Sequence, residues 1–177
     1  VTLILAALVV ALVAFVLTRS NTFRVTRRTK VKASCETVRA LVDDFRSWAQ
    51  WSPWEKLDPD MEKTFEGPHE GVGAIYRWSG KGKVGKGCMR IVEATPTVTI
   101  IRVEFLKPFP VEYMSEFLFE PDDGGCEVTW VVYGENTVVS KLTSLFTSMD
   151  KMVGPDFETG LANLKRWLGE RQSAFME

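Results

Sequence analysis

The stretch between residues 62 and 134 alternates apolar and polar side chains in short segments, and glycine and proline residues separate these segments. Alternation with a period of two is typical of β-strands that bury one face and leave the other in water. The connections are too short to hold crossover helices, so neighbouring strands must run antiparallel. This part of the chain is therefore predicted to form an antiparallel meander of about six strands with one packed face.

Further elements flank this meander on both sides. Residues 23–33 alternate as another strand, and Ser34 provides an N-cap for a short amphipathic helix. Residues 139–172 repeat apolar side chains every three or four positions, with Gly154-Pro155 expected to kink the helix. The fold class is therefore predicted to be α+β, with a curved antiparallel sheet of about 6–7 strands wrapped around a long C-terminal helix.

The chain begins with an almost uninterrupted apolar run. Residues 1–17 contain a single polar residue, Thr2, and would form a helix of about 25 Å, near the lower limit for crossing a bilayer. A cleaved signal peptide is the alternative, although its hydrophobic region is usually shorter than this run. Residues 1–20 are therefore predicted to be a transmembrane anchor and residues 22–177 the folded domain of a single-pass membrane protein. The side of the membrane on which the domain lies stays open.

Charge and residue counts narrow the classes of function. The 22 basic and 23 acidic residues nearly cancel, so the chain lacks the positive charge expected of a protein that binds nucleic acid. The single histidine, His69, is flanked by glycine and proline residues, which indicates a surface turn rather than a catalytic base. The cysteines Cys35, Cys88 and Cys126 show no C-x-x-C spacing and are predicted to be free thiols. The pattern indicates no metal site, cofactor or catalytic residue.

This order of elements, together with three sequence segments, resembles the SRPBCC superfamily. The segments are WAQWSPWEKLDPDM, EGPHEGVGAIYRWSG and MDKMVGPDFETGLANLK. The superfamily includes START domains, polyketide cyclases and birch-pollen-allergen-like proteins, and the chain is most similar to the polyketide cyclase/dehydrase-like branch with an N-terminal membrane anchor. The resemblance covers residues 22–170 and implies a helix-grip fold with a hydrophobic pocket. It implies no particular ligand, because members include lipid carriers, cyclases, dehydratases and receptors.

Large aromatic and sulfur-containing side chains cluster on the predicted inner surface and are the candidate lining of that pocket. They are Trp51, Trp54, Tyr76, Trp78, Met89, Phe105, Tyr113, Phe117, Trp130, Met149 and Met152. A pocket of about 300–1,000 Å³, the usual size for ligand sites, is expected between the sheet and the C-terminal helix. The alternative is that these side chains fill an ordinary core.

The sequence therefore predicts a membrane-anchored protein that binds a lipid, quinone or polyketide-like molecule, and it favours binding over catalysis. A cyclase or dehydratase is the first alternative, for which Tyr76, Tyr113 and Glu116 are the plausible acid–base groups. The second alternative is a module that binds a protein partner through its outer surface without any ligand.

Overall fold

A computed structural model describes residues 2–18, 20–82, 84–108, 110–137, 141 and 147–174. The α-helices in this part of the chain are α1 (Thr2–Thr18), α2 (Cys35–Asp43) and α3 (Met149–Ala174). Two 3₁₀ segments, Phe45–Gln50 and Pro53–Lys56, follow α2. The strands are β1 (Thr22–Val31), β2 (Glu62–Glu66), β3 (Ile75–Ser79), β4 (Lys86–Ala94), β5 (Val98–Lys107), β6 (Val111–Asp122) and β7 (Gly125–Glu135).

The strands form one seven-stranded sheet in the order β1-β7-β6-β5-β4-β3-β2. Every neighbouring pair is antiparallel. Strands β2 to β7 follow one another as a meander, whereas β1 pairs with β7 because α2 and the 3₁₀ segments carry the chain to the other edge of the sheet. The predicted antiparallel sheet with a long C-terminal helix is therefore confirmed.

Helix α3 closes the core against the inner face of the sheet. Its buried side chains are Phe157, Leu161, Leu164 and Leu168, which recur at helical spacing. Gly160 lies among them, and a Cβ there would come within 3.0 Å of the Trp130 ring and 3.2 Å of Pro53. The absence of a side chain at Gly160 thus lets the helix approach the sheet closely.

Strand β1 holds α3 through Arg27. The guanidinium of Arg27 donates hydrogen bonds to Asp150 at 2.8 Å and to Glu158 at 2.6 Å. A Cβ on Gly154, which lies between these two acids along the helix, would collide with the same guanidinium. The glycine of Gly154-Pro155 therefore leaves room for the ion pairs, and α3 runs through this dipeptide without a break.

The predicted membrane anchor is not supported. In the part of the chain that the structure describes, no helix is both long enough and apolar enough to span a membrane. The apolar N-terminal run forms α1, which has 17 residues. The prediction of a single-pass membrane location is therefore wrong.

The predicted C-terminal helix is not continuous, because residues 147 and 148 are not helical and α3 begins after them. The repeat predicts a start near residue 139, whereas α3 begins at Met149. The hydroxyl of Ser148 accepts a hydrogen bond from the backbone N–H of Lys151 at 3.3 Å, which caps this start. Residues 138–140 and 142–146, on which the earlier start would fall, lie outside the described residues.

Two of the three cysteines are joined. Cys35 and Cys126 form a disulfide with a Cα–Cα distance of 5.0 Å and a sequence separation of 91. The prediction of a free thiol is wrong for both, whereas Cys88 is free. The physical reason is the sheet order: Val31 pairs with Cys126 in the β1–β7 ladder, which brings the start of α2 beside β7. Cysteine spacing carries no signal of this contact.

A buried carboxyl group lies at the end of α2. Asp43 accepts hydrogen bonds from Thr99 Oγ1 and from Arg39 Nη1, both at 2.6 Å, and only 2% of the residue is exposed. Burial raises the pKa of the Asp43 carboxyl above its ordinary value, although both hydrogen bonds oppose the shift. Thr99 and Arg39 therefore stabilise the ionised form in a position that disfavours charge.

We expect Thr99→Val to lower the free energy of unfolding at neutral pH by about 1.5–3 kcal/mol, because the Asp43 carboxylate loses a buried donor. The pKa of Asp43 should rise further, so the protonated form becomes more favoured in the folded state. The loss of stability should therefore shrink as the pH falls through that raised pKa. Urea unfolding of both proteins from neutral to acidic pH measures the effect, with Thr64→Val at an exposed strand position as the control. A loss that does not vary with pH would contradict this role of Asp43.

Candidate functional site

A cavity of about 120 Å³ lies between the inner face of the sheet, the 3₁₀ segments and α3. The lining residues that the sequence predicts are Trp54, Tyr76, Trp78, Met89, Phe105, Tyr113 and Trp130. The others are Trp48, Ser52, Glu55, Met61, Val84, Val103, Ser115, Val132 and Phe157. The volume is smaller than the expected range because the large rings on the inner surface fill most of the space under the helix.

Trp130 is the aromatic side chain that β7 contributes to the wall of the cavity. Its ring stacks on Phe157 of α3, with centroids 4.3 Å apart, and on Phe117 of β6 at 4.8 Å. Its Nε1 donates a hydrogen bond to Ser115 Oγ at 2.8 Å. Two stacked neighbours and a buried hydrogen bond fix the orientation of the ring, so this wall is preorganised.

Trp78 is one of the two aromatic side chains that β3 contributes to the wall of the cavity, together with Tyr76. Its Nε1 donates to the backbone oxygen of Val84 at 3.0 Å, and its ring meets Phe105 edge-on with centroids 5.2 Å apart. Its cross-strand partner is Gly87, where a Cβ would come within 2.5 Å of the indole ring. The glycine in β4 therefore provides the space in which the Trp78 ring lies.

One acidic side chain interrupts this apolar lining. Glu55 lies in the second 3₁₀ segment, which begins at Pro53, and its side chain is 8% exposed. Its Oε1 accepts a hydrogen bond from Tyr76 Oη at 2.7 Å, and its Oε2 pairs with Lys63 Nζ. Burial, together with the hydrogen bond to Glu55, raises the pKa of the Tyr76 hydroxyl. Tyr76 therefore stays protonated and acts as a donor to the carboxylate.

Tyr113 brings a second phenol to the cavity from β6. Its ring stacks on Phe105 with centroids 6.1 Å apart and meets Phe23 of β1 edge-on at 6.4 Å. Burial raises the pKa of the Tyr113 hydroxyl above its ordinary value. This phenol is therefore neutral near pH 7 as well.

Four predicted pocket residues lie outside the cavity. Trp51 and Phe117 are fully buried, and their rings pack against Trp130. Met149 packs against the core without reaching the cavity, and Met152 is 55% exposed on α3. Alternation and helical spacing indicate the face on which a side chain lies but not its depth below the cavity surface. That the seven residues at the cavity bind a ligand stays a prediction.

The lining residues that the sequence does not predict include three polar ones, Ser52, Glu55 and Ser115. Ser115 lies between Tyr113 and Phe117 on the same inward face of β6. The alternation along this strand therefore predicts that its side chain points inward. Glu55 lies within the tryptophan-rich segment, and only the 3₁₀ geometry directs its side chain inward. The simple rule that acids face water therefore fails at the most polar point of the cavity.

The remaining candidates lie away from this site. Glu116 neighbours inward-facing residues on β6, so it lies on the outer face and does not line the cavity. His69 lies in an exposed loop with 67% of its side chain accessible. Among the described residues, no group of three or more His, Cys, Asp or Glu side chains is placed to hold a metal ion.

An antiparallel sheet that closes around a C-terminal helix and leaves a cavity between them defines a helix-grip domain. A family model described as polyketide cyclase / dehydrase and lipid transport matches residues 22–169, and the chain belongs to this family. The resemblance to the SRPBCC superfamily is therefore confirmed, without its membrane-anchored form. No curated protein gives a significant sequence match.

Solved structures share the fold at low sequence identity. A Thermobifida fusca protein solved by NMR is 22% identical, with a TM-score of 0.60 over 83% of this chain and 93% of that one. The protein Ara h 8.0201 is 12% identical, with a TM-score of 0.59 over 84% and 99%. The di-domain ARO/CYC StfQ from the steffimycin biosynthetic pathway is 11% identical, with a TM-score of 0.62 over 86% of this chain and 52% of that one. These likenesses support the fold alone.

Proposed function

We propose that residues 22–177 form a domain that binds a small, largely apolar molecule in the cavity under α3. The observation that carries the proposal is the cavity itself, which is walled by fixed aromatic rings. Trp78 and Trp130 are held by hydrogen bonds and ring contacts, so they do not collapse into the space between them. The family description, which includes lipid transport, is consistent with such a role.

The space that the lining side chains leave supports a binding role over an ordinary core. Protein interiors are close-packed and hold few voids larger than a water molecule. The lining side chains leave a cavity of about 120 Å³, which is larger than a single water molecule. A sequence selected only for a stable core would fill this space, whereas a binding protein leaves it for a ligand.

We expect the full chain to bind toluene, and we expect Val132→Leu to weaken that binding. Val132 lines the cavity, so the added methylene group should enter the free space and change the free energy of unfolding by less than about 0.5 kcal/mol. The indole N–H signals in NMR spectra recorded during a toluene titration measure binding, because four tryptophans line the cavity.

The matched control is Val128→Leu, at a fully buried position on the same strand that does not line the cavity. Overpacking there should cost about 1–3 kcal/mol and leave toluene binding in the folded protein unchanged. If toluene does not perturb any indole signal of the wild-type chain, the proposed binding function is wrong.

A cyclase or dehydratase role is the second candidate, and the pairing of Glu55 with Tyr76 is the observation that favours it. Among the described lining residues, Glu55 is the one carboxylate, and a carboxylate beside a protonated phenol can take a proton from carbon. Exchange of the α-hydrogens of cyclohexanone in D₂O tests for this chemistry. Accelerated exchange that Glu55→Gln abolishes and Glu66→Gln retains would favour an enzyme over a carrier.

A further inference from the structure

The lining of the cavity is largely apolar, and Glu55 contributes the only charged side chain among the described lining residues. The Glu55 side chain is 8% exposed, so water solvates its carboxylate poorly. The compensating cation, Lys63, pairs with Oε2 and does not itself line the cavity. A ligand therefore meets carboxylate oxygens and not an ammonium group.

The Glu55 carboxylate has acceptor capacity to spare. An ionised carboxylate offers about four lone-pair sites, and the structure shows two partners, Tyr76 and Lys63. A hydroxyl group on a bound molecule would find a charged acceptor in a poorly hydrated place, where such hydrogen bonds are strong. A ligand carboxylate would lose its hydration and face a like charge, with no cationic side chain at the described surface of the cavity.

We infer that the cavity selects uncharged ligands that carry a hydroxyl group on a ring-sized apolar body, and that it rejects carboxylates. The inference rests on the proposed binding function and adds the ligand's chemical class. The size follows from the volume of about 120 Å³, because a dry cavity of about 150 Å³ holds a molecule such as benzene. Fatty acids, although apolar, therefore fall outside the selected class.

Three ligands of similar size separate the effect of a hydroxyl group and the effect of a carboxylate from that of the apolar ring. Toluene fills the space without a donor, phenol replaces its methyl group by a hydroxyl, and benzoate carries a carboxylate. In a purely apolar cavity phenol should bind about tenfold more weakly than toluene, because its hydroxyl loses water without compensation. With Glu55 as acceptor, phenol should bind at least as tightly as toluene, and benzoate at least about tenfold more weakly than phenol.

Isothermal titration calorimetry of the full chain at neutral pH measures these affinities. Glu55→Gln removes the charge at constant shape and leaves only a neutral acceptor, so it should weaken phenol binding relative to toluene and reduce the discrimination against benzoate. Glu66→Gln makes the same charge change at an exposed position of β2, where Glu66 pairs with Arg77, and should leave all three affinities unchanged. The affinities of the wild-type protein for the three ligands test the inferred selectivity even if Glu55→Gln fails to fold.

The two proposals fail in distinguishable ways. If none of the three ligands binds, the binding function is wrong and the inference falls with it. If toluene binds but phenol binds more weakly than toluene, or benzoate binds as tightly as phenol, the binding function stands and the inferred selectivity is overturned. If Glu66→Gln changes the preference as much as Glu55→Gln does, the assignment to Glu55 is overturned.

Discussion

Replacing Cys35 and Cys126 together by alanine should lower the free energy of unfolding by about 4 kcal/mol. The disulfide closes a loop with a sequence separation of 91, and cross-linking a loop of that length restricts the unfolded chain strongly. The cost is large relative to the total stability of a single domain, which is about 5–15 kcal/mol. Guanidinium unfolding of the oxidised full chain and of the double variant measures the difference.

The control for this prediction is Cys88→Ala, because Cys88 is a free, half-buried thiol on β4. It should change stability far less than the double variant does. A reducing agent should weaken the wild-type protein and Cys88→Ala but not the double variant, which has no bond to lose. A double variant within about 1 kcal/mol of the wild type would mean that the cross-link contributes little to folding.

Leu164→Ala should lower the free energy of unfolding by about 2–5 kcal/mol, because Leu164 is fully buried on α3 and alanine would leave a cavity. The position lies beyond Gly160 on the face that packs on the sheet, so the loss reports the docking of α3. Urea unfolding of the two proteins measures it. The control is Leu57→Ala, at a side chain that is 57% exposed, which should cost less than about 0.5 kcal/mol. A cost for Leu164→Ala as small as that of the control would contradict the packing of α3 described above.

The architecture could be predicted from the sequence because its signals are local. Alternation along β3 already places Tyr76 and Trp78 on one face, and both lie at the cavity. Apolar spacing along the last third of the chain likewise predicts the buried face of α3, including Leu161 and Leu164. Each of these signals depends on the period of one element and requires no knowledge of its neighbours.

The apolar run at the N-terminus shows what hydropathy can and cannot predict. Residues 1–17 predict a helix, and α1 spans Thr2–Thr18 as expected. Hydropathy alone predicts a membrane anchor, but among the described residues no helix is both long and apolar enough to span a membrane. The apolar pattern therefore predicts the type of element correctly, whereas the membrane anchor is not supported.

The depth of each side chain depends on how the elements pack. Trp51 and Trp54 are three residues apart in one segment, yet the first is fully buried in the core and the second lines the cavity. The volume of the cavity depends likewise on how closely α3 approaches Trp130 at Gly160. No local sequence pattern predicts the burial of a side chain or the volume of the cavity, because both depend on how elements far apart in sequence pack together.

By itself, the sequence determined the kind and order of the elements, the inward face of each strand and the apolar character of the inner surface, because these follow from local periodicity. Only the tertiary structure decided that Cys35 meets Cys126 and that Glu55 turns into the cavity against Tyr76. The first contact depends on β1 joining β7, and the second on a 3₁₀ segment packing against β3. Both are long-range contacts that chain topology creates, and no spacing of residues along the chain encodes them.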